Sequence, residues 1–313
     1  MRTIAIEEHY VRQPPATQDR PRPLPEEVQA RLLDLGPARI ADMDAAGIDV
    51  QVLSLLSPGA QRFAAAEAAA RAREENDRLA DAVRRHPDRL AAFAAVPTAD
   101  PAAAADELER AVSTLGFRGA MIHGPTEGRF LDDQRFWPIL ECAEALDRPI
   151  YIHPRCPSQF MAKPYGDYGM YTALWGFQAE VSVHAMRMML SGLFERFEKL
   201  KIVIGHMGES IPFNIWRSDY IYGVHKGWGD IPGNVKPSEI FKRNFWITTS
   251  GVEHTPALQY SIDVLGADRV LWAIDYPYQP SKPAVSWMNK AEIAREHKDA
   301  IYHGNAERIF HIG

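Results

Sequence analysis

Residues 3–10 read TIAIEEHY, a short apolar run that ends abruptly in Glu7, Glu8 and His9. In a β-strand, side chains alternate between two faces, so Glu7 and His9 share one face and Glu8 takes the other. A carboxylate and an imidazole on one face could hold a metal ion. The same design recurs along the chain. Further apolar, β-branched or aromatic runs are DVQVLSLL (49–56), LAAFAAV (90–96), GAMIH (119–123), PIYIH (149–153), KIVIGH (201–206), FWITTS (245–250) and VLWAID (270–275). Each is bounded by turn residues, as buried strands are.

Helical patterns separate most of these runs. Residues 64–86 are strong helix formers with an apolar stripe. Residues 101–116 open on Pro101 and close on Gly116. Residues 132–147 place Pro138 near a first turn. Residues 182–197, 255–266 and 282–297 follow the same pattern. Strands that alternate with helices make a parallel sheet with right-handed crossovers, and eight such units close a barrel. The expectation is an α/β protein, a single (β/α)8 TIM-barrel domain spanning residues 1–313.

Three segments break the alternation. Residues 11–38 carry the proline-rich RQPPATQDRPRPLPEE, residues 154–176 form an aromatic stretch, and residues 217–237 are rich in Gly, Trp and Tyr. They are expected to be long loops after the first, fifth and sixth strands, at the barrel end where active sites lie.

Bulk properties narrow the function. The net charge of −6 is spread along the chain without a basic patch, which argues against nucleic acid. No run of about 18 apolar residues exists to span a membrane, and the N-terminus lacks the apolar core of a signal peptide. Cys142 and Cys156 make no disulfide framework. A cytoplasmic location is therefore expected. There is no G-x-x-x-x-G-K-[ST] loop, no strand-bound G-x-G-x-x-G and no paired Cys-x-x-Cys, so no organic cofactor is expected.

The residues that end the apolar runs carry the chemistry. They are Glu7 and His9, then His123, His153, His206 and Asp275. One histidine at a strand end is more often structural than a ligand. Histidine or carboxylate at so many ends of one barrel is a different matter, because those ends converge on one mouth. Such a set suits zinc or another first-row metal. In GHMGESIP, residues 205–212, Glu209 stands three residues after His206 and could orient its imidazole. A turn leading into a helix at Ser210 is the plainer alternative.

Taken together, EEHY, YIHPRCP, IGHMGESIP, TTSG, AIDYPYQ, RLLDLGPARIADMDAAGIDVQVLSL and NAERIF resemble marker segments of the amidohydrolase superfamily. More narrowly they resemble its decarboxylase branch, which includes γ-resorcylate, 2,3-dihydroxybenzoate, 5-carboxyvanillate and aminocarboxymuconate semialdehyde decarboxylases. The resemblance covers nearly the whole chain. It implies that Glu7, His9, His153 and Asp275 bind one divalent metal, Mn2+ or Zn2+, and that His206 and Glu209 form a catalytic pair. It implies that Arg217 lies near the substrate pocket or a subunit contact. His123, Phe177 and Tyr278 are the groups expected to face the ring of the substrate. Homodimers or homotetramers are the habit of the family.

The implied activity is non-oxidative, metal-dependent decarboxylation of a hydroxylated aromatic carboxylic acid, with Asp275 as proton donor. The competing expectation is a hydrolase or hydratase on the same ligands, acting on a lactone or enol acid, with water taken up and no CO2 released. A barrel kept only as a binding or assembly module is a third, and it predicts neither metal nor turnover.

Overall fold

A computed structural model describes residues 1–13, 23–157 and 162–313. The strands are β1 (Ile4–Tyr10), β2 (Val50–Leu55), β3 (Leu90–Ala92), β4 (Ala94–Ala95), β5 (Ala120–His123), β6 (Ile150–His153), β7 (Ile202–Ile204), β8 (Phe245–Thr248) and β9 (Val270–Leu271). All neighbours run parallel, in the orders β1-β2-β3 and β4-β5-β6-β7-β8-β9. β3 and β4 are two halves of one stave, interrupted at Phe93, whose N–H donates to Leu53 O at 2.9 Å. The buried Phe93 ring packs on Phe310 and Tyr151 inside the barrel. The first and last staves meet where His9 N–H donates to Tyr276 O at 2.8 Å and Glu8 bridges Tyr276. The result is an eight-stave (β/α)8 barrel.

Alternation along each stave explains why the strands read as continuous apolar runs. Ile150 and Ile152, Ile202 and Ile204, and Phe245 and Ile247 face the surrounding helices. Tyr151, Val203, Trp246, Leu271 and Ala273 face the interior, together with Ile4, Ile6, Val50 and Val52. Parallel strands covered on both faces need apolar residues on both. The C-terminal helix Asn305–Phe310 adds Ala306, Ile309 and Phe310 to the interior cluster.

The structure shortens the last predicted run from 270–275 to two paired residues. Its remaining amides find partners outside a strand ladder: Ala273 N–H on Thr249 Oγ1, Ile274 N–H on Glu8 Oε1 and Tyr276 N–H on Glu8 Oε2. Side chains thus replace ladder hydrogen bonds beside Asp275.

Residues 217–237 correct another expectation. They do not form a loop throughout, because the helix Ile211–Trp228 runs through the first part. Ile211, Ile215 and Tyr222 face inward, but Phe213 is 77% and Trp216 76% exposed on the other side, so apolar residues on both sides mask the inward stripe in the sequence. Residues 282–297 split into two helices, Ser281–Lys290 and Arg295–Asp299. The 182–197 pattern likewise divides into Gly176–Leu190 and Leu193–Arg196, because Gly192 takes φ 80° between them. Within 11–38, the helix Glu26–Leu33 forms, whereas residues 14–22 lie outside the described residues. Residues 158–161 of the second expected loop also lie outside them; its described part is irregular apart from a short 3-10 turn, Lys163–Tyr165.

Candidate active site

β1 delivers its polar end through a bulge. Ile4 and Ala5 pair with Val50 and Gln51, but Glu8 pairs with Leu53, so β1 carries one extra residue between them. The extra residue switches the alternation. Ile6 and Glu7 both face the interior, Glu8 faces away, and His9 faces in again. The predicted sharing of a face by Glu7 and His9 holds.

One ligand atom from each of Glu7, His9, His153 and Asp275 lies within 4.8 Å of all the others. These residues come from the first, fifth and eighth staves, as the sequence placed them. Glu7 is fully buried. Its Oε2 accepts the Tyr151 hydroxyl and, at 3.2 Å, the Thr248 hydroxyl. His9 Nδ1 lies 3.1 Å from Ser54 Oγ, which turns Nε2 inward to within 3.2 Å of Asp275 Oδ1. His153 Nδ1–H donates to Pro154 O at 2.8 Å and leaves Nε2 3.5 Å from Glu7 Oε1. A ring fixed this way offers its other nitrogen as a ligand. Burial, then the neighbouring imidazoles of His9, His123 and His206, hold His153 well below its ordinary pKa, in the neutral form a metal requires. Burial pushes the Glu7 carboxyl up.

The donors fit a cation. Among the described residues, Glu7 Oε1 and His9 Nε2 are buried and lack a hydrogen-bond partner, although an unsatisfied buried polar atom costs about 1–3 kcal/mol. Two carboxylates, Glu7 and Asp275, share the site. A divalent ion would satisfy the orphan atoms and offset the repulsion. Gly205 leaves room for Glu7, since a Cβ there would come 3.1 Å from its Oε2. Glu7→Gln is expected to weaken metal binding about 10-fold or more, measured by metal content after gel filtration; wild-type content would remove Glu7 from the ligand set.

His206 and Glu209 stand beside this cluster. His206 Nδ1 and Glu209 Oε1 are 2.6 Å apart, and His206 Nε2 lies 3.9 Å from Glu7 Oε1 and 4.0 Å from Asp275 Oδ2. Burial opposes a charge on this imidazole, but the carboxylates of Glu209, Glu7 and Asp275 outweigh it and push the group up to about 10. The backbone is strained here. His206, Met207, Glu209 and Ser210 all take positive φ, with Gly208 at 76° between them. Each non-glycine residue in such a region costs on the order of 1–3 kcal/mol. Hydrogen bonds hold the turn: Gly208 N–H to Gly205 O at 2.8 Å, His206 N–H to Ser250 Oγ at 3.1 Å, and the Ser182 hydroxyl to Glu209 O. The helix begins at Ile211 without a side-chain cap.

His123 ends β5 directly opposite His153, and the two rings meet edge-on at 5.2 Å. Burial, then His9 and Arg155, hold its pKa down to about 3, so the ring is neutral. Its Nε2 has no hydrogen-bond partner among the described residues, and its Nδ1 packs against Gly59. The Tyr278 ring lies 6.2 Å from that of His9. These two expected substrate groups therefore sit at the cluster. The other two do not adjoin it in the described contacts. Phe177 is half-buried in the first turn of Gly176–Leu190, and Arg217 is exposed on Ile211–Trp228 beside Trp216. The reason for Arg217 is helical geometry, which turns position 217 outward on this element. A cavity of about 320 Å3 is lined by Gly59, the residue against which His123 packs, and by Phe63, Arg12, Arg62, Arg71 and Glu75 among others.

Several groups escaped the sequence reading. Tyr151 shares the inward face with His153, two residues on, and was readable as a polar group in an apolar run. Ser54 and Thr248, at the ends of β2 and β8, looked like ordinary strand residues. Glu8 was read as pointing away from the site, which is correct, but its two hydrogen bonds to the last stave were not foreseen. Burial pushes its carboxyl up to about 8, against the pull of the Ile274 amide, Arg39 and the Tyr276 amide.

Comparison with known proteins agrees with the geometry. The amidohydrolase family profile matches residues 10–312. The γ-resorcylate decarboxylase of Polaromonas sp. (strain JS666) is 37% identical over 321 residues, covering 99% of this chain and 98% of that protein. The crystal structure of 5-carboxyvanillate decarboxylase from Sphingomonas paucimobilis superposes with a TM-score of 0.95 at 44% identity, covering 100% of this chain and 99% of that one. A dihydroxybenzoic acid decarboxylase from Polaromonas sp. JS666, solved with bound manganese and the inhibitor 2-nitroresorcinol, gives a TM-score of 0.93 at 36% identity, covering 99% of this chain and 97% of that one. With the family profile spanning almost the whole barrel and full-length relatives above one-third identity, this chain belongs to the amidohydrolase family, in its decarboxylase branch.

Proposed function

We propose that the protein is a non-oxidative, divalent-metal-dependent decarboxylase of a benzoic acid that carries a hydroxyl beside the departing carboxylate. The observation that carries this reading is the convergence of Glu7, His9, His153 and Asp275 within 4.8 Å, with orphan donor atoms and the His206–Glu209 pair alongside. The resemblance to γ-resorcylate and 5-carboxyvanillate decarboxylases supports the substrate class. Manganese in a related structure makes Mn2+ the first ion to test, with Zn2+ the alternative for the same donors.

An ion held by Glu7, His9, His153 and Asp275 would supply fixed positive charge for the substrate carboxylate and the adjacent phenolate oxygen. The protein's own groups do the rest. His206, aimed by Glu209 and held protonated by the carboxylates around it, presents Nε2–H toward the same space and binds the substrate carboxylate. The neutral His123 Nε2, without a partner among the described residues, is available to a ring hydroxyl. Protonated Asp275 donates to the ring carbon that bears the carboxylate, forming a C–H bond. The bond to the carboxyl carbon then breaks, its electron pair restores the aromatic ring, and CO2 leaves. A proton from solvent returns to Asp275. Manganese-loaded protein incubated with 2-hydroxybenzoates should release CO2. Product formed with water uptake and no CO2 would point instead to a hydratase or hydrolase.

In this reading the protein is also a homo-oligomer, a homodimer or homotetramer. The aromatic face of Ile211–Trp228 supports it, since Phe213, Trp216, Tyr220 and Trp228 are all exposed along one side. A second copy would bury that face together with Arg217. Sedimentation equilibrium reads the outcome; a monomer at micromolar concentration would contradict it.

A further inference from the structure

Asp275 occupies a backbone conformation that a chain does not hold unaided. Its φ is 78°, in the left-handed region, and it is followed by a turn in which Tyr278 N–H donates to Asp275 O at 2.9 Å. The two peptide N–H groups that flank it, those of Ile274 and Tyr276, do not enter a strand ladder. Both donate to one side chain: Ile274 N–H to Glu8 Oε1 at 3.1 Å and Tyr276 N–H to Glu8 Oε2 at 3.2 Å. Glu8 is fully buried on the face of β1 opposite Glu7 and His9.

The backbone on either side of Glu8 and of Asp275 is tied down as well. Arg39, also fully buried, donates from Nη2 to His9 O at 2.6 Å and from Nη1 to Gln51 Oε1 at 3.1 Å. Its guanidinium stacks over the Tyr276 ring at 4.6 Å. The His9 N–H donates to Tyr276 O. One residue pair on β1 therefore faces two ways. His9 points at the Asp275 carboxylate, 3.2 Å from Oδ1, while Glu8 grips the Asp275 backbone from behind.

We propose that Glu8 is a positioning residue: by bracketing the amides on both sides of Asp275, it holds that carboxylate between His9 and His206. This rests on the decarboxylase reading for its catalytic consequence, but not for its structural one. A carboxyl group suits the task because each of its two oxygens can accept one N–H. Glutamine has the same shape but offers one acceptor oxygen, so one flanking amide would face an NH2 group. The Asp275 carboxylate would then wander, and its value as a ligand and proton donor would fall together.

A double-mutant cycle separates positioning from mere stability. The proteins are wild type, Glu8→Gln, Asp275→Ala and the double variant, and the first readout is the Mn2+ dissociation constant from chelator competition. Glu8→Gln should weaken Mn2+ binding about 10- to 100-fold when Asp275 is present, the usual range for an outer partner of a ligand. In the Asp275→Ala background the same change should cost no more than about 3-fold, because no carboxylate is left to position. At saturating Mn2+, kcat should fall about 10-fold or more with KM little changed. Equal losses of Mn2+ affinity in both backgrounds would overturn the proposal and leave Glu8 a stability residue. If no aromatic acid is decarboxylated by wild type, the affinity cycle still reads the Glu8–Asp275 coupling, so the two failures stay distinct. Should Glu8→Gln not fold, Glu8→Asp goes through the same cycle, and failure of both to fold would also count against a positioning role.

Discussion

Asp275→Asn is expected to lower turnover about 1,000-fold, within the 10²- to 10⁴-fold range for a lost general acid, while much of the metal stays bound. The expectation follows from the two tasks assigned to one side chain. As a ligand, Asp275 contributes an oxygen that asparagine still has, and Glu7, His9 and His153 remain in place. As an acid, it must carry a proton to a ring carbon, and a carboxamide cannot. Its position serves both tasks. Oδ1 is 3.2 Å from His9 Nε2, and Oδ2 faces His206 Nε2 across 4.0 Å. Gly251 keeps the approach open, because a Cβ there would stand 3.3 Å from the His206 ring and 3.9 Å from Asp275 Oδ2. Metal content by elemental analysis and turnover at matched loading check the expectation. Near wild-type turnover at full loading would remove Asp275 as the proton donor.

Stripping the metal should abolish turnover and lower the melting temperature, and added Mn2+ should restore both. Without a cation, the site sets the buried Glu7 carboxyl beside the half-buried Asp275 and, among the described residues, leaves Glu7 Oε1 and His9 Nε2 without hydrogen bonds. A ligand that binds only the folded state stabilises it by about 2.7 kcal/mol at 100 times its dissociation constant. For a domain of this size a change of that order moves the melting temperature by several degrees. Dialysis against a chelator, followed by calorimetry and a turnover assay, tests both halves. Unchanged turnover in fully stripped protein would refute metal dependence.

Most of the barrel and the core of its site were legible because their physical causes are local. A stave covered on both faces must be apolar, so the eight runs stood out, and the polar residues that end them had to meet at one mouth. Glu7, His9, His153 and Asp275 were found that way. What stayed hidden depends on contacts between distant residues. The bulge in β1 is set by its pairing with β2, and the loss of ladder bonds after Leu271 by Glu8, 266 residues away from Ile274. The helix through residues 217–228 is hard to read because exposed Trp216, Tyr220 and Trp228 balance buried Ile215 and Tyr222, which blurs the one-sided stripe that marks a helix in sequence. Arg217 shows the limit of position alone: its place beside the His206 segment is legible, but the direction of its side chain follows from a helix that was not.

The proposed task of this constellation is to replace a ring carboxylate with a proton. Manganese-loaded protein given 2,6-dihydroxybenzoate and 5-carboxyvanillate in D2O, each labelled with 13C at the carboxyl beside the phenol, tests it by NMR. The expected products are 13CO2 and its bicarbonate, in step with one deuterium at the vacated ring carbon of at least one of these acids. Retention of the label in every organic product, with deuterium or oxygen entering elsewhere, would contradict it.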